Sequence, residues 1–187
     1  MTKIEDLYLI QKLKDDDINA LEVIFSKYYS GLCRYLTIIF KNQLIAEHIV
    51  QDLFLYIWEN RKKLDINTSL SSYLYTAARY KALNKIRYDN KFTNSISELE
   101  NNSDENKNPD KLFEIQELQK IIDKAISTLP PRCQQIFKLS KDENFSYEEI
   151  AKIMGISTKT VENQMNIALK KLRKILRPFY LKIFLMA

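Results

Sequence analysis

Apolar residues recur at helical spacing through the first half of the chain, with polar residues between them. This pattern predicts amphipathic helices at residues 4–14, 18–42, 45–63 and 71–91. Two more are predicted at residues 113–129 and 132–141, because a Pro-Pro pair ends one helix and is tolerated in the first turn of the next. No strand alternation competes convincingly with these helices. The pattern therefore predicts an all-α fold.

The third predicted helix carries two kinds of surface. Its apolar stripe consists of Ile45, Ile49, Leu53 and Ile57. Outside the stripe lie an amide, two acids and two large apolar side chains, namely Gln51, Asp52, Leu55, Trp58 and Glu59. An exposed mixture of this kind is typical of a protein-binding face. A Trp58 ring that seals the helical core is an equally good interpretation.

Aromatic and basic residues are interleaved along the fourth predicted helix: Tyr73, Tyr75, Arg79, Tyr80, Lys81, Lys85 and Arg87. Aromatic faces stack on unpaired bases while cations follow the backbone, so this mixture suits single-stranded nucleic acid. Tyrosines that fill a core beside a solvated basic face explain the pattern equally well. The predicted buried side consists of Leu74, Ala77, Ala78, Ala82 and Ile86.

The last third of the chain predicts a helix-turn-helix. Ser146 stands at an N-cap position with Glu149 three residues later, which is the pattern of a capping box. Gly155 suits the left-handed end of that helix, and Ser157 suits the N-cap of the next one. Two helices joined this tightly are typical of a DNA-binding motif.

The second helix of this motif has a buried and an outward face. The predicted buried residues are Val161, Met165, Ala168, Leu169, Leu172 and Leu176. The outward residues are Lys159, Asn163, Asn166, Lys170 and Arg173, with Thr160, Gln164 and Lys174 beside them. Amides and hydroxyls suit base edges in the major groove, and the cations suit phosphates. An ordinary amphipathic hairpin with a solvated charged face is the alternative.

Charge is segregated along the 187 residues, whose formal net charge is +5 and whose hydrophobic content is 45%. Basic residues concentrate at positions 73–92 and in the outward face of the helix-turn-helix. Residues 93–111 are acidic, polar and almost free of apolar side chains. Because such a segment cannot bury enough surface to fold, a flexible acidic linker is predicted between two small helical domains.

Several classes of function are not expected. Cys33 and Cys133 lie far apart without a CxxC pair, so buried thiols in a reducing compartment are predicted rather than a metal site. No nucleophile with a positioned base and no carboxylate cluster points to an enzyme or a cofactor. The acidic start and the lack of a long apolar stretch predict a soluble cytoplasmic protein. The apolar tail, residues 179–187, is expected to fold back over the C-terminal helices, with partner docking as the alternative.

Three motifs in order resemble those of extracytoplasmic-function sigma factors, a class of the bacterial primary-sigma family. AEHIVQDLFLYIWENR resembles the region that binds core RNA polymerase, and SSYLYTAARYKALNKIR resembles the region that melts the promoter and meets its minus-10 element. The third motif, LPPRCQQIFKLSKDENFSYEEIAKIMGISTKTVENQMNIALKKLR, resembles the minus-35-binding domain. The resemblance covers nearly the whole chain.

The resemblance implies roles for individual positions. The residues that match the polymerase-docking helix are Gln51, Asp52, Phe54 and Trp58. Those that match the segment facing the single-stranded minus-10 element are Tyr73, Arg79, Tyr80, Lys81, Asn84 and Arg87. Those that match the helix over the double-stranded minus-35 element are Thr158, Lys159, Thr160, Asn163 and Gln164, with Lys170 and Lys174 on the phosphates.

Three positions depart from the family pattern. His48 stands where an acidic residue is usual, which makes one polar contact at the polymerase face different or weakly pH-sensitive. Tyr80 replaces a common Asn, which favours stacking over reading of base edges. Asn144 replaces a common Gly, and Asn also adopts the left-handed conformation.

The resemblance implies a promoter-specificity subunit of RNA polymerase with no catalytic residues, no cofactor and no bound metal. We expect residues 1–92 to bind core polymerase and the minus-10 element, residues 93–112 to form the linker, and residues 113–187 to bind the minus-35 element. The expected partners are core RNA polymerase, promoter DNA and an anti-sigma factor, without insertion into the membrane. The alternative function is a helix-turn-helix regulator that acts without recruiting polymerase.

Overall fold

In the structure, a computed structural model, residues 3–66, 68–92 and 113–185 are described. The regular elements of these residues are helical, which confirms the predicted all-α class. The N-terminal helices are α1 (Lys3–Lys14), α2 (Ile18–Phe40), α3 (Gln43–Glu59) and α4 (Leu70–Phe92), with a short 3-10 turn at Arg61–Lys63. The C-terminal helices are α5 (Phe113–Ser127), α6 (Pro131–Lys141), α7 (Tyr147–Met154) and α8 (Thr158–Leu185). The predicted linker, residues 93–112, lies outside the described residues.

Polar caps and left-handed residues set the helix boundaries. The Asp17 carboxylate accepts a hydrogen bond from the Asn19 amide at 3.0 Å, which satisfies one free N–H at the start of α2. Lys41, with φ at 51°, ends α2 in the left-handed conformation, and the Asn42 side chain caps α3 immediately afterwards. Asn144 has a φ of 56°, as its residue type predicts.

The N-terminal core lies between α2, α3 and α4, with α1 packed across one side. Ile24, Leu32 and Leu36 of α2 are fully buried, as are Val50 and Leu53 of α3. Burial of each such side chain is worth about 1.5–3 kcal/mol, so these positions hold the three helices in register. The apolar sides of α2 and α3 therefore face inward, and the other sides of α3 and α4 form part of the surface.

The C-terminal core is built by α6, α7 and α8, with α5 against α8. Ile136, Ile150 and Met165 are almost completely buried at its centre. Cys133 is also buried and its Sγ donates to the Gln164 carbonyl at 3.2 Å. Both cysteines are free and buried, as predicted.

Two predictions concern the packing of α8, namely the burial of Leu169 and the folding back of the apolar tail. Leu169 was predicted to be buried, but its exposed fraction is 39%, because it lies at the edge of the stripe formed by Met165, Ala168 and Leu172. The backbone of α8 continues through Pro178 to Leu185 without a turn. The side chains of the apolar tail, which was predicted to fold back over the C-terminal helices, lie outside the described part of the structure.

The N-terminal and C-terminal helices pack directly against each other. The contacts run from α4 to α7 and from α2 to α6. They place the first helix of the helix-turn-helix against the helix that carries the interleaved aromatic and basic residues.

Candidate protein and nucleic-acid interfaces

The outer face of α3 presents polar side chains to solvent. Gln51 and Asp52 are exposed, while their neighbour Leu53 is buried between the helices. Leu55 and Glu59 are also exposed, so the polar face includes a large apolar side chain. This combination has the composition of a protein-binding face.

Two aromatic residues of the predicted docking set differ in exposure. Phe54 is only 4% exposed, and its ring lies edge-on to Phe25 at 4.9 Å between centroids. Trp58 is half-buried, packs against the core and has the Arg61 guanidinium 4.0 Å from its ring centroid. The two interpretations of Trp58 therefore both hold in part, since the ring covers the core and remains accessible. Phe54, which was predicted to belong to the docking set, lies in the core and not on the outer face of α3.

Only some of the basic and aromatic residues of α4 lie on one face of the helix. At about 100° per residue, Tyr73, Tyr80, Asn84 and Arg87 fall within about 60° of one another. Tyr80 is 66% exposed, whereas Tyr75 is 1% exposed. The burial of Tyr75 agrees with the interpretation that it fills the core. The exposure of Tyr80 agrees with the interpretation that it meets nucleic acid.

Lys81 lies on the side of α4 that faces α3. There it lies close to Tyr56, a residue that sequence reasoning missed. The Lys81 Nζ atom is 5.3 Å from the ring centroid of Tyr56, which is 47% exposed. Burial, followed by the influence of Tyr56, raises the pKa of Tyr73 above its usual value. Tyr56 therefore brings a third aromatic group to the α4 surface. Its position off the apolar stripe of α3 was the available signal.

Arg79 points to the other side of α4, about 120° from Tyr73. Its Nη2 donates to the backbone carbonyl of Met154, the last residue of α7, at 3.1 Å. The predicted single-strand set is therefore divided, with Arg79 engaged by the C-terminal helices.

The helix-turn-helix has the predicted local geometry. The Ser146 hydroxyl accepts from the Glu149 amide at 3.2 Å, and the Glu149 carboxylate accepts from the Ser146 amide at 3.0 Å. These bonds complete a capping box. Gly155 has a φ of 60° and ends α7, and the Ser157 hydroxyl accepts from the Thr160 amide at the start of α8.

The outward face of α8 is a basic stripe. Lys159, Asn163, Lys170 and Lys174 fall within about 60° of one another, opposite the buried residues. All four are exposed, and Lys159 pairs with Glu162 at 2.9 Å. Thr160 and Gln164 lie half-buried on one flank, and the exposed Thr158 lies on the other. The structure thus gathers the predicted DNA-binding residues of α8 on one broad surface.

Ile167 is a second residue that sequence reasoning missed. It is 48% exposed and lies on the Thr160 side of the basic stripe. An exposed apolar side chain among cations suits contact with a thymine methyl group in the major groove. Its position outside the helical apolar period was the available signal.

Two further observations concern the described residues alone. They contain no group of three or more His, Cys, Asp or Glu residues placed to hold a metal ion. None of their helices is long and apolar enough to cross a membrane.

Two family models match this chain. The model described as "Sigma-70 region 2" matches residues 24–92, and the model described as "Sigma-70, region 4" matches residues 119–172. Together they cover well over half of the sequence, in the order in which the two surfaces were found. The chain belongs to the sigma-70 family. It is an extracytoplasmic-function sigma factor, which binds core RNA polymerase and directs transcription from specific promoters.

Curated relatives of this sigma factor have similar lengths. "RNA polymerase sigma factor CarQ" from Myxococcus xanthus is 24% identical over 174 residues, which is 93% of this chain and 99% of the relative. "RNA polymerase sigma factor YlaC" from Bacillus subtilis (strain 168) is 23% identical over 160 residues, which is 83% of this chain and 91% of the relative.

Two solved structures share the fold of the sigma factor. CnrH, solved in complex with the cytosolic domain of CnrY, has a TM-score of 0.62 and 17% identity, and the match covers 92% of this chain and 97% of CnrH. The sigma factor RpoE, solved in complex with the anti-sigma factor NepR from Bartonella quintana, has a TM-score of 0.60 and 18% identity. That match covers 83% of this chain and 96% of RpoE.

Proposed function

We propose that this sigma factor binds core polymerase and promoter DNA through three separate surfaces. The outer face of α3 binds core polymerase through Gln51, Asp52 and the accessible part of Trp58, with Phe54 holding the helix in place. The separation of this polar face from the buried Leu53 and Ile57 supports the assignment. Residues 1–92 then act as one binding domain and residues 113–187 as another, with residues 93–112 between them.

The α4 surface receives the opened strand of the minus-10 element. Tyr73 and Tyr80 offer rings for stacking, and Asn84 lies on the same face. The cations that follow the backbone are Lys81 and Arg87, joined by Arg79 when that side chain is released from α7. Exposed tyrosines beside cations are the physical requirement for holding unpaired bases.

The α8 surface enters the major groove of the minus-35 element. Asn163, Gln164 and Thr160 are placed for base edges, with Thr158 and Lys159 at the start of the helix. Lys170 and Lys174 bind phosphates further along. The single observation that carries the assignment is the stripe of exposed amide and basic side chains opposite the buried stripe of α8.

The sigma factor supplies specificity, and the chemistry of RNA synthesis belongs to core polymerase, beside which it acts in the cytoplasm. An anti-sigma factor is a proposed partner. The NepR complex of the structurally similar RpoE supports this partner.

Run-off transcription with purified core polymerase on a library of promoters tests the proposed function. Addition of the sigma factor is expected to select a small set of promoters that share minus-10 and minus-35 sequences. Core enzyme alone is the control. If the chain binds DNA but neither retains core polymerase in a pull-down nor changes the transcript pattern, it is a regulator that acts without polymerase.

A further inference from the structure

The basic stripe of α8 leads into a segment that the proposed function does not use. Exposed cations lie on the last turns of α8 whose side chains are described, namely Lys170, Lys171, Arg173, Lys174 and Arg177. The ion pairs found among the described residues include none of these cations. No acidic residue follows Glu162 in the sequence. This end of α8 therefore has a strongly positive potential.

Apolar residues follow this basic segment directly. The tail, residues 179–187, reads FYLKIFLMA, in which Lys182 is the one charged side chain. The backbone of α8 is helical from Thr158 to Leu185, so the helical period assigns each tail position to a side of the helix. The helical part of the tail is about 10 Å long, which is far short of the about 30 Å of a bilayer core.

One side of the tail continues the buried stripe of α8. Phe179 and Ile183 fall in line with Met165 and Leu172, which are buried in the C-terminal core. Packing against the other C-terminal helices would use this side. Such packing accounts for only part of the apolar residues in the tail.

The opposite side of the tail continues the basic stripe. That sector of α8 is bounded by Lys159 and Lys174, which are both exposed. Leu181 lies inside the sector, and Phe184 and Leu185 lie within about 20° of its edges. The same side of one helix thus changes from basic to apolar. A helix that packs on its own domain through the buried stripe leaves this side uncovered by that domain.

Cations beside apolar residues fit a partner that is both anionic and apolar. Duplex DNA offers phosphates, but it lacks an apolar surface broad enough for leucine and phenylalanine side chains. The surface of an anionic bilayer offers both, because its headgroups attract lysine and arginine and its acyl-chain boundary receives apolar side chains. Interfacial helices insert to a depth of about 5–10 Å, which the length of the tail allows.

We propose that the end of α8 is a peripheral binding site for anionic phospholipid bilayers, in which the basic stripe contacts the headgroup phosphates and the outward residues of the tail insert at the acyl-chain boundary. The helix lies at the surface and does not cross the bilayer. Lys170 and Lys174 are also the residues assigned to the phosphates of the minus-35 element, so lipid and DNA compete for them. This competition rests on the proposed function above, whereas the lipid site does not.

Flotation of the full chain with lipid vesicles tests the site. One set of vesicles contains phosphatidylcholine alone, and the other contains phosphatidylcholine with an equal amount of phosphatidylglycerol. At about 0.1 M salt, partition is expected to be at least about tenfold higher on the anionic vesicles and to fall as salt rises. Equal partition onto both sets, or none onto either, overturns the proposal.

A variant of the tail tests the apolar contribution. Leu181→Asp combined with Phe184→Asp is expected to lower partition onto the anionic vesicles at least about tenfold. Leu44→Asp, which changes an exposed leucine of α3, is the matched control and is expected to partition like the parent chain. Circular dichroism and thermal melts monitor folding. A lower melting temperature with unchanged partition would assign the tail to packing within the protein and overturn the proposal.

A second variant tests the basic contribution without touching the lysines assigned to DNA. Arg173→Gln combined with Arg177→Gln is expected to lower partition severalfold and to flatten its salt dependence. Arg132→Gln removes an exposed cation of α6 and serves as the control. Equal losses in this control and in the α8 variant would indicate attraction by net charge alone, against a site on α8.

A polarity-sensitive dye locates the part of the chain that enters the lipid. The dye is attached to Ala187→Cys in one sample and to Glu22→Cys, an exposed position on α2, in the other. Cys33 and Cys133 react slowly in comparison, because burial raises the pKa of both thiols. Anionic vesicles are expected to shift the emission of the Ala187→Cys sample to shorter wavelength and to leave the other unchanged. Equal shifts, or a shift at Glu22→Cys alone, overturn the role of the tail.

Competition between lipid and DNA is measured with short duplex DNA of randomised sequence. Addition of this DNA is expected to release the chain from anionic vesicles severalfold, because Lys170 and Lys174 cannot contact both partners at once. DNA that floats together with the vesicles would overturn the shared use of these lysines and leave the lipid site standing. The promoter-library assay judges the proposed function separately.

Discussion

Asp16 joins the turn between α1 and α2 to the turn after α3. Its carboxylate accepts from Arg61 Nε at 2.6 Å and from Lys62 Nζ at 2.8 Å. Hydrogen bonds from Lys62 and then Arg61 lower the pKa of Asp16 below its usual value. A carboxyl group with a lowered pKa in the folded state stabilises the fold above its unfolded pKa of about 3.9, and this contribution is lost as the pH falls through the folded pKa.

We expect Asp16→Asn to lower the melting temperature at neutral pH and to make the acid limb of the stability profile less steep. Asparagine is a suitable replacement, since Asp16 has a φ of 67° and Asn tolerates that conformation. Thermal melts between about pH 3 and pH 7 measure the effect. The neighbouring Asp15→Asn serves as the matched control. An acid limb as steep in Asp16→Asn as in the parent chain contradicts the linkage.

Substitutions of Asp52 and Trp58, which both lie on α3, distinguish effects on polymerase binding from effects on stability. Asp52→Ala is expected to weaken core-polymerase binding by about tenfold with an unchanged melting temperature, because the residue is exposed and off the core. Trp58→Ala is expected to weaken binding and also cost about 2 kcal/mol of stability, because its ring packs partly on the core. Glu22→Ala, an exposed acid on α2, is the control. Full core binding by Asp52→Ala would remove the docking assignment from this face.

At the scale of elements, the helices were predictable because their signals are local. Ser146, Glu149 and Gly155 fix the ends of α7 through caps that the sequence shows directly. The packing of each face was harder to predict, because periodicity indicates that a side is buried and does not name what covers it. Tyr75 is the example, since it is buried by Phe145 across 70 residues of chain.

Substitutions on the outward face of α8 distinguish side chains that contact base edges from side chains that bind phosphates. Asn163→Ala or Gln164→Ala is expected to change which minus-35 sequences are bound, at about 1–3 kcal/mol per lost base contact. Lys170→Ala or Lys174→Ala is expected to weaken all sequences alike and to lower the salt slope by about one unit each. Binding titrations against a minus-35 library at several salt concentrations measure both quantities.

Arg132→Ala provides the control for charge alone, because this exposed cation lies on α6 and not on α8. It is expected to leave sequence preference unchanged. Uniform losses from the Asn163 and Lys170 variants on every sequence would assign the whole stripe to phosphate binding.

At the scale of the whole molecule, the decisive contacts join residues that sequence reasoning treated separately. Arg79 was assigned to single-stranded DNA, yet its guanidinium donates to the backbone carbonyl of Met154 in α7. Gly31 gave no signal in the sequence, because its function depends on Tyr75 and Glu143 arriving from two other elements. Each half of the fold could be predicted from its own pattern, but the contact between the halves depends on side chains that meet only after both have folded.

The ion pair between Arg34 and Glu143 makes the contact between the N-terminal and C-terminal helices sensitive to salt. Arg34 is 56% exposed in its side chain, so the pair is worth at most about 1 kcal/mol and is weakened as salt screens it. We therefore expect energy transfer between dyes on Glu22→Cys of α2 and Arg173→Cys of α8 to fall as salt rises from about 0.05 M to about 0.5 M, without DNA present. Glu143→Gln keeps the shape of the side chain and removes its charge, so it is expected to lower the energy transfer at low salt and to flatten the salt response.

A double-mutant cycle with Arg34→Gln completes the test. The two substitutions are expected to be less than additive, because either one already removes the interaction between the charges. Lys62→Gln is the charge control, since Lys62 pairs with Asp16 in the N-terminal half of the chain. Additive effects of Arg34→Gln and Glu143→Gln, or a salt response as steep in Glu143→Gln as in the parent chain, would show that the apolar contacts around Tyr75 and Phe145 hold the N-terminal and C-terminal helices together without this ion pair.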